Sequence, residues 1–275
     1  MRYLTFSQIF LLFLCYSFIG WCSEVIYCSI LQKRLINRGF LKGPVCPVYG
    51  FGGLLVMGAL EPFSSTWIPL FFLSVLVTST LEYITSWILE KLFDTKWWDY
   101  SHYKFNIKGR VCLLNSTLFG IMGMLASHFV HPFLMKLVTW LKEPFIIYTA
   151  AGLASVFFVD FVFTIRKLIN FNTYLAKLEE FSESLKAQFV SEAWFNKSVS
   201  LDDMLVKLKE KAKLKSDEMT TNMIQRLEAF SESQKKAVSF ISSFPTMTSK
   251  RYKSQLEHLK QSFMENLRKR GCKKD

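Results

Sequence analysis

Trp67–Phe93 reads WIPLFFLSVLVTSTLEYITSWILEKLF. It is long and apolar enough to meet the ~20-residue requirement for a helix that crosses a bilayer. Ser74, Thr78, Glu82, Ser86 and Glu90 recur at every fourth position. On a helix they fall into one polar stripe along an otherwise apolar surface. A charged side chain deep in a bilayer costs ~2.5 kcal/mol or more, so Glu82 is expected to face a bundle interior or a wet cavity.

Working outward, Tyr3–Leu31 reads as a first span and Cys46–Leu60 as a second. The second is short and Gly-rich and opens around Pro44 and Pro47, so a distorted or partly re-entrant helix is expected there. Val111–Val130 and Phe145–Leu168 read as the fourth and fifth spans. His131–Pro132 is expected to end the fourth, with Phe133–Leu141 as an interfacial piece. Arg2 and the apolar Ile9–Leu14 imitate a signal peptide. No small-x-small cleavage site follows, however, and the apolar run continues past Trp21, so the segment reads as an uncleaved span.

Composition divides the chain the same way. Hydrophobic residues make up 51% of it and Phe alone counts 27, crowded into the first ~168 residues. From Asn170 onward the chain carries 20 Lys and Arg against 14 Asp and Glu, which is half of the formal +12. The expectation is therefore an all-α, polytopic membrane helix bundle of about five spans over residues 1–168, followed by a cytoplasmic, coiled-coil-like helical tail over 169–275. The basic balance is explained by cytoplasmic loops and not by nucleic acid. The six Cys include no CxxC and no Cys/His ligand cluster, and His128 and His131 lack a third ligand, so neither metal nor cofactor is expected.

Loop charges set an orientation. Lys33, Arg34, Arg38 and Lys42 follow the first span, Lys91, Lys96, Lys104, Lys108 and Arg110 surround the third loop, and Arg166 and Lys167 follow the fifth span. Glu61–Thr66 carries no basic residue, and the fourth loop only Lys136 and Lys142. This alternation places the N-terminus outside and the tail in the cytoplasm, in the plasma membrane. Trp97, Trp98, Tyr100 and Tyr103 then fit an aromatic belt at the cytoplasmic interface.

Glu24, Glu82 and Asp160 all fall in the cytoplasmic half of their spans. Ser17, Gly20, Glu24 and Tyr27 share a face of the first span, and Asn115, Ser116, Gly120 and Gly123 lie near one side of the fourth, with Asn115 at the level of Glu24. Arg38 or Arg110 is placed to neutralise Glu24 or Glu82, or to hold a phosphate or carboxylate. Asn37, Asp99 and His102 in the same loops complete the candidate polar cavity. Asp99 and His102 imitate a His–carboxylate pair, but no nucleophile is placed beside them. Gly50, Gly52 and Gly53 are not a phosphate loop, since no Lys-Ser/Thr follows; helix packing explains them.

In the tail, Leu175, Leu178, Phe181, Leu185 and Phe189 form a helical stripe. Further helices are expected from Ser200 and Ser216, the latter with Met219, Met223, Leu227 and Phe230 inward and ending at Phe244-Pro245, and a last one around Leu256, Leu259, Phe263 and Leu267. Packing or homo-oligomerisation through this tail is the expectation.

Several stretches are shared with a known family. They are Tyr16-Ser17-Phe18-Ile19-Gly20-Trp21 with Glu24, Asn37 through Pro44 continuing to Pro47-Val48-Tyr49-Gly50-Phe51-Gly52, Leu81 through Trp87, Trp97 through Ser101, and Asn106 with Gly109 through Ser116. On these the first ~135 residues resemble the Putative ABC-transporter type IV family, a bacterial membrane family. The resemblance implies membrane localisation, a shared polar core and, more faintly, a permease-like role. No Walker loop occurs in the chain, so energy from ATP would need a separate ATPase subunit. Two alternatives stand beside this one. One is a membrane-embedded enzyme on a lipid headgroup, with Glu24 or Glu82 as acid or base and Arg38 and Arg110 on phosphate. The other is a structural or regulatory scaffold.

Overall fold

The structure, a computed structural model, describes residues 4–32, 37–63, 66–190, 204–207, 210, 237, 240–241 and 243–271. The expected tail helices from Ser200 and Ser216 lie almost wholly outside the described residues. Helix α1 is Phe6–Gln32, α2 Pro47–Ala59 and α3 Trp67–Phe93. A two-strand hairpin follows, β1 Asn106–Ile107 and β2 Val111–Cys112, then α4 Leu113–Leu125, α5 His131–Trp140, α6 Phe145–Phe189 and α7 Lys253–Gly271. By their contacts the residues divide into two units. The first is Met1–Lys91 with Trp98–Arg166, the second Leu92–Trp97 with Lys167–Asp275.

In the first unit the usual arrangement of side chains is inverted. On α3, Ser74, Glu82 and Ser86 are buried while Ile68, Phe72, Leu76, Trp87 and Ile88 are exposed. A helix that hides its polar stripe and shows its apolar one is solvated by hydrocarbon. Among the described residues, four helical stretches are long and apolar enough to cross a membrane: Phe6–Ile30, Trp67–Phe93, Leu113–Trp140 and Phe145–Ala187. The fold is an all-α membrane bundle.

The 13 residues of α2 are too few to cross alone. The helix nevertheless packs inside the bundle. Leu11, Leu12, Tyr16, Val56, Met57, Leu60, Leu70, Leu134, Val138, Ile146 and Ala150 form one apolar cluster. It joins the starts of α1, α3 and α6 to the ends of α2 and α5, so α2 and the α4–α5 run are directed against the other three. The non-helical segment 37–46 leads into α2 and meets α1 where the Cys46 amide donates to the Ser17 carbonyl at 3.0 Å.

Pro132 does not end the fourth span as the sequence suggests. The helix passes through a π-helical turn, Ala126–Val130, and continues as α5 with Pro132 in its first turn. Proline removes an amide and crowds the preceding turn; widening that turn accommodates both without a break. The helix of the fifth span does not stop near Leu168: α6 continues unbroken to Phe189, 45 residues in all, into the charged sequence of the tail.

The second unit has a core of its own. Leu175, Leu178, Phe181 and Leu185 of α6 are buried, as are Met204, Ile241, Met247, Leu256 and Leu259. Trp97 is 2% exposed, with Phe93, Phe240 and Phe244 packed edge-on around its ring. It is a core residue and not part of an interfacial aromatic belt. Lys96 and Thr248 exchange backbone hydrogen bonds at 2.8 and 2.9 Å beside it.

Candidate functional site

Close approach of α1 and α2 creates the site. A Cβ at Gly20 would lie 2.1 Å from Cγ of Tyr49, and one at Gly50 would lie 2.3 Å from Oγ of Ser17. Only glycine allows this contact, and it brings the Tyr49 ring beside Glu24, one turn beyond Gly20. The Tyr49 hydroxyl donates to Glu24 Oε1 at 2.6 Å. Glu24 Oε2 faces Arg38, whose Nε is 3.7 Å away, and accepts a weak bond from the Cys28 thiol at 3.6 Å. Arg38 Nη1 also donates to Cys28 Sγ at 2.9 Å.

Glu82 joins this group from α3. Its carboxyl is hydrogen-bonded by the Tyr100 side chain, and Glu24 and Arg38 are the charged side chains that act on it electrostatically. Glu82 is 7% exposed, and its Oε2 has no hydrogen-bond partner. One turn along α3, the buried Ser86 Oγ has none either. Glu24 and Cys28 together hold the Arg38 guanidinium. Burial, reinforced by Glu82, pushes the Tyr100 hydroxyl well above its usual range, so it stands as a neutral donor.

Arg110 does not meet Glu24 or Glu82. The β1–β2 hairpin pairs Ile107 with Val111 and turns through Lys108 and Gly109, both at positive φ. A Cβ at Gly109 would lie 2.2 Å from Asp99 Oδ1, so the turn needs glycine for space and conformation together. The hairpin aims Arg110 at the end of α3, where Nη2 is 2.5 Å from Glu90 Oε2 and Nη1 donates to the Tyr83 hydroxyl at 3.1 Å.

Asp160 has a backbone role. Its Oδ1 and Oδ2 accept the amides of Lys42 and Gly43 at 3.1 and 2.7 Å. Non-helical chain leaves its amides without helical partners, and Asp160 satisfies two of them. Asn37 serves the same segment: its Oδ1 accepts from the Gly39 amide at 3.2 Å and from Trp21 Nε1 at 2.8 Å. Asp99 accepts the amide and hydroxyl of Ser101 at 3.0 and 2.5 Å and shapes its own loop. His102 is exposed, its ring against Tyr103. Asn115 is half-buried in the first turn of α4; beside it the Ser116 hydroxyl is bonded to Ser79 of α3 at 2.7 Å.

Thus Glu24, Arg38 and Glu82 come together, while Arg110, Asp160, Asn37 and Asp99 hold the chain around them and His102 stands exposed. Sequence reasoning missed Cys28, Tyr49 and Tyr100. Cys28 was within reach, since it follows Glu24 by four residues, whereas Tyr27, placed on that face instead, is 37% exposed.

No curated protein and no solved structure matches the chain. The sequence profile of one family, described as Putative ABC-transporter type IV, matches residues 11–165. That match covers α1 through the first half of α6 and every residue of the Glu24–Arg38–Glu82 cluster, and it covers more than half of the sequence, so this integral membrane protein belongs to the Putative ABC-transporter type IV family.

Proposed function

We propose that the chain is the permease-like membrane subunit of a transporter, with Glu24, Arg38 and Glu82 lining a polar passage that opens to the cytoplasm. The observation that carries this reading is Glu82, buried in the bundle with one carboxylate oxygen left without a partner. Such a group is costly in a membrane. The N-terminus lies outside, and the loop carrying Lys33, Arg34, Arg38 and Lys42, the loop carrying Lys96, Lys104, Lys108 and Arg110, and the tail face the cytoplasm of a plasma-membrane protein; the distribution of Lys and Arg supports this. The chain carries no nucleotide-binding loop, so its partner is a separate ATPase.

A lipid-headgroup enzyme has less support. It needs Arg38 and Arg110 free for phosphate, and each holds a glutamate instead. The test is affinity purification of the tagged chain from native membranes, with mass spectrometry of proteins and lipids together. Enrichment of an ATPase supports the permease reading. A specific bound lipid with no ATPase contradicts it.

A further inference from the structure

We infer that Glu82 and Ser86 form a binding site for a small monovalent cation. This rests on reading the cluster as a ligand passage and names the ligand's charge. Among the described residues, the charges acting on Glu82 are Glu24 and Arg38. Arg38 is already committed: its guanidinium faces Glu24 Oε2 and donates to Cys28. Glu24 is saturated in turn by Tyr49, Arg38 and Cys28. Two carboxylates thus share one guanidinium, so a proton or a cation has to complete the charge of the group.

Two unpartnered oxygens lie on α3. Tyr100 occupies one side of the Glu82 carboxyl, and Oε2 is left buried and unpartnered. Ser86 lies one turn away on the same face, 1% exposed, with Oγ also unpartnered. A carboxylate oxygen and a hydroxyl oxygen are hard ligands. They suit an alkali cation or the N–H donors of a small ammonium group, and they do not suit a soft metal or an anion.

The experiment uses full-length protein in lipid nanodiscs and reads its thermal unfolding midpoint in sodium chloride, methylammonium chloride and choline chloride at equal ionic strength. A ligand bound only by the folded state raises the midpoint with the logarithm of its concentration. The wild type and Thr80→Ala, an exposed position on the same helix, are expected to gain stability in sodium or methylammonium over choline. Glu82→Gln is expected to lose that gain entirely, and Ser86→Ala to require a several-fold higher concentration for the same shift. A response to sodium alone assigns an inorganic ion, and one to methylammonium alone an amine group of a larger substrate. Equal midpoints in all three chlorides overturn the proposal, as does a full response in Glu82→Gln. Should Glu82→Gln not accumulate, an undiminished response in Ser86→Ala overturns it instead. The measurement needs neither ATP nor a second chain, so failure to find an ATPase partner does not decide it.

Discussion

The Tyr49 hydroxyl is 2.6 Å from Glu24 Oε1, a bond between α2 and α1 that exists because residue 20 has no side chain. Packing and polar chemistry are therefore one feature here. Adding a methyl at Gly20 is expected to destabilise the protein by about 1–3 kcal/mol through overpacking. Gly152→Ala provides the contrast: no atom lies within 4 Å of its added Cβ, and the exposed helical position should be neutral or gain up to about 1 kcal/mol. Unfolding in mixed micelles compares the two; equal losses would contradict the packing account.

Arg110 and Glu90 form a pair separate from the buried cluster. Arg110→Gln and Glu90→Gln are expected to be non-additive with each other, with a coupling of about 1 kcal/mol, and additive with Glu24→Gln. Coupling between Arg110 and Glu24 in that cycle would show that the hairpin is misplaced.

Much of this was legible beforehand, and the limits are physical. The stripe from Ser74 to Glu90 is set by helical periodicity alone, and the structure buries Ser74, Glu82 and Ser86 on it. The destination of Arg110 depends on positive φ at Phe105, Lys108 and Gly109, which residue spacing does not encode. Trp97 looks in sequence like any interfacial tryptophan; only the distant Phe240 and Phe244 reveal it as core. Asp160 has the composition of a cavity acid, and its backbone role appears only once segment 37–46 is known to enter the bundle without helix.

Trp97 gives a direct reading of its own unit. Phe240→Ala or Phe244→Ala removes an aromatic wall of its pocket and is expected to cost about 3–5 kcal/mol. In a variant retaining Trp97 as its sole tryptophan, either change should shift emission to the red and open the ring to acrylamide. Unchanged emission after truncation at residue 190 would contradict the packing around Trp97.

Topology has a simple assay. A cysteine at exposed Thr5 should react with an impermeant maleimide in intact cells, whereas Cys272 should react only after permeabilisation. The reverse pattern would overturn the proposed orientation.

The central claim is that Glu24 and Arg38 act as one half-buried unit, and a double-mutant cycle tests it most directly. Unfolding free energies are measured for Glu24→Gln, Arg38→Gln and the double variant. Removing one partner strands the other's charge, so each single change should cost several-fold more than a surface substitution, and the double should cost less than their sum by about 1–3 kcal/mol. Strictly additive losses would show that the two residues stand independently and would contradict the account.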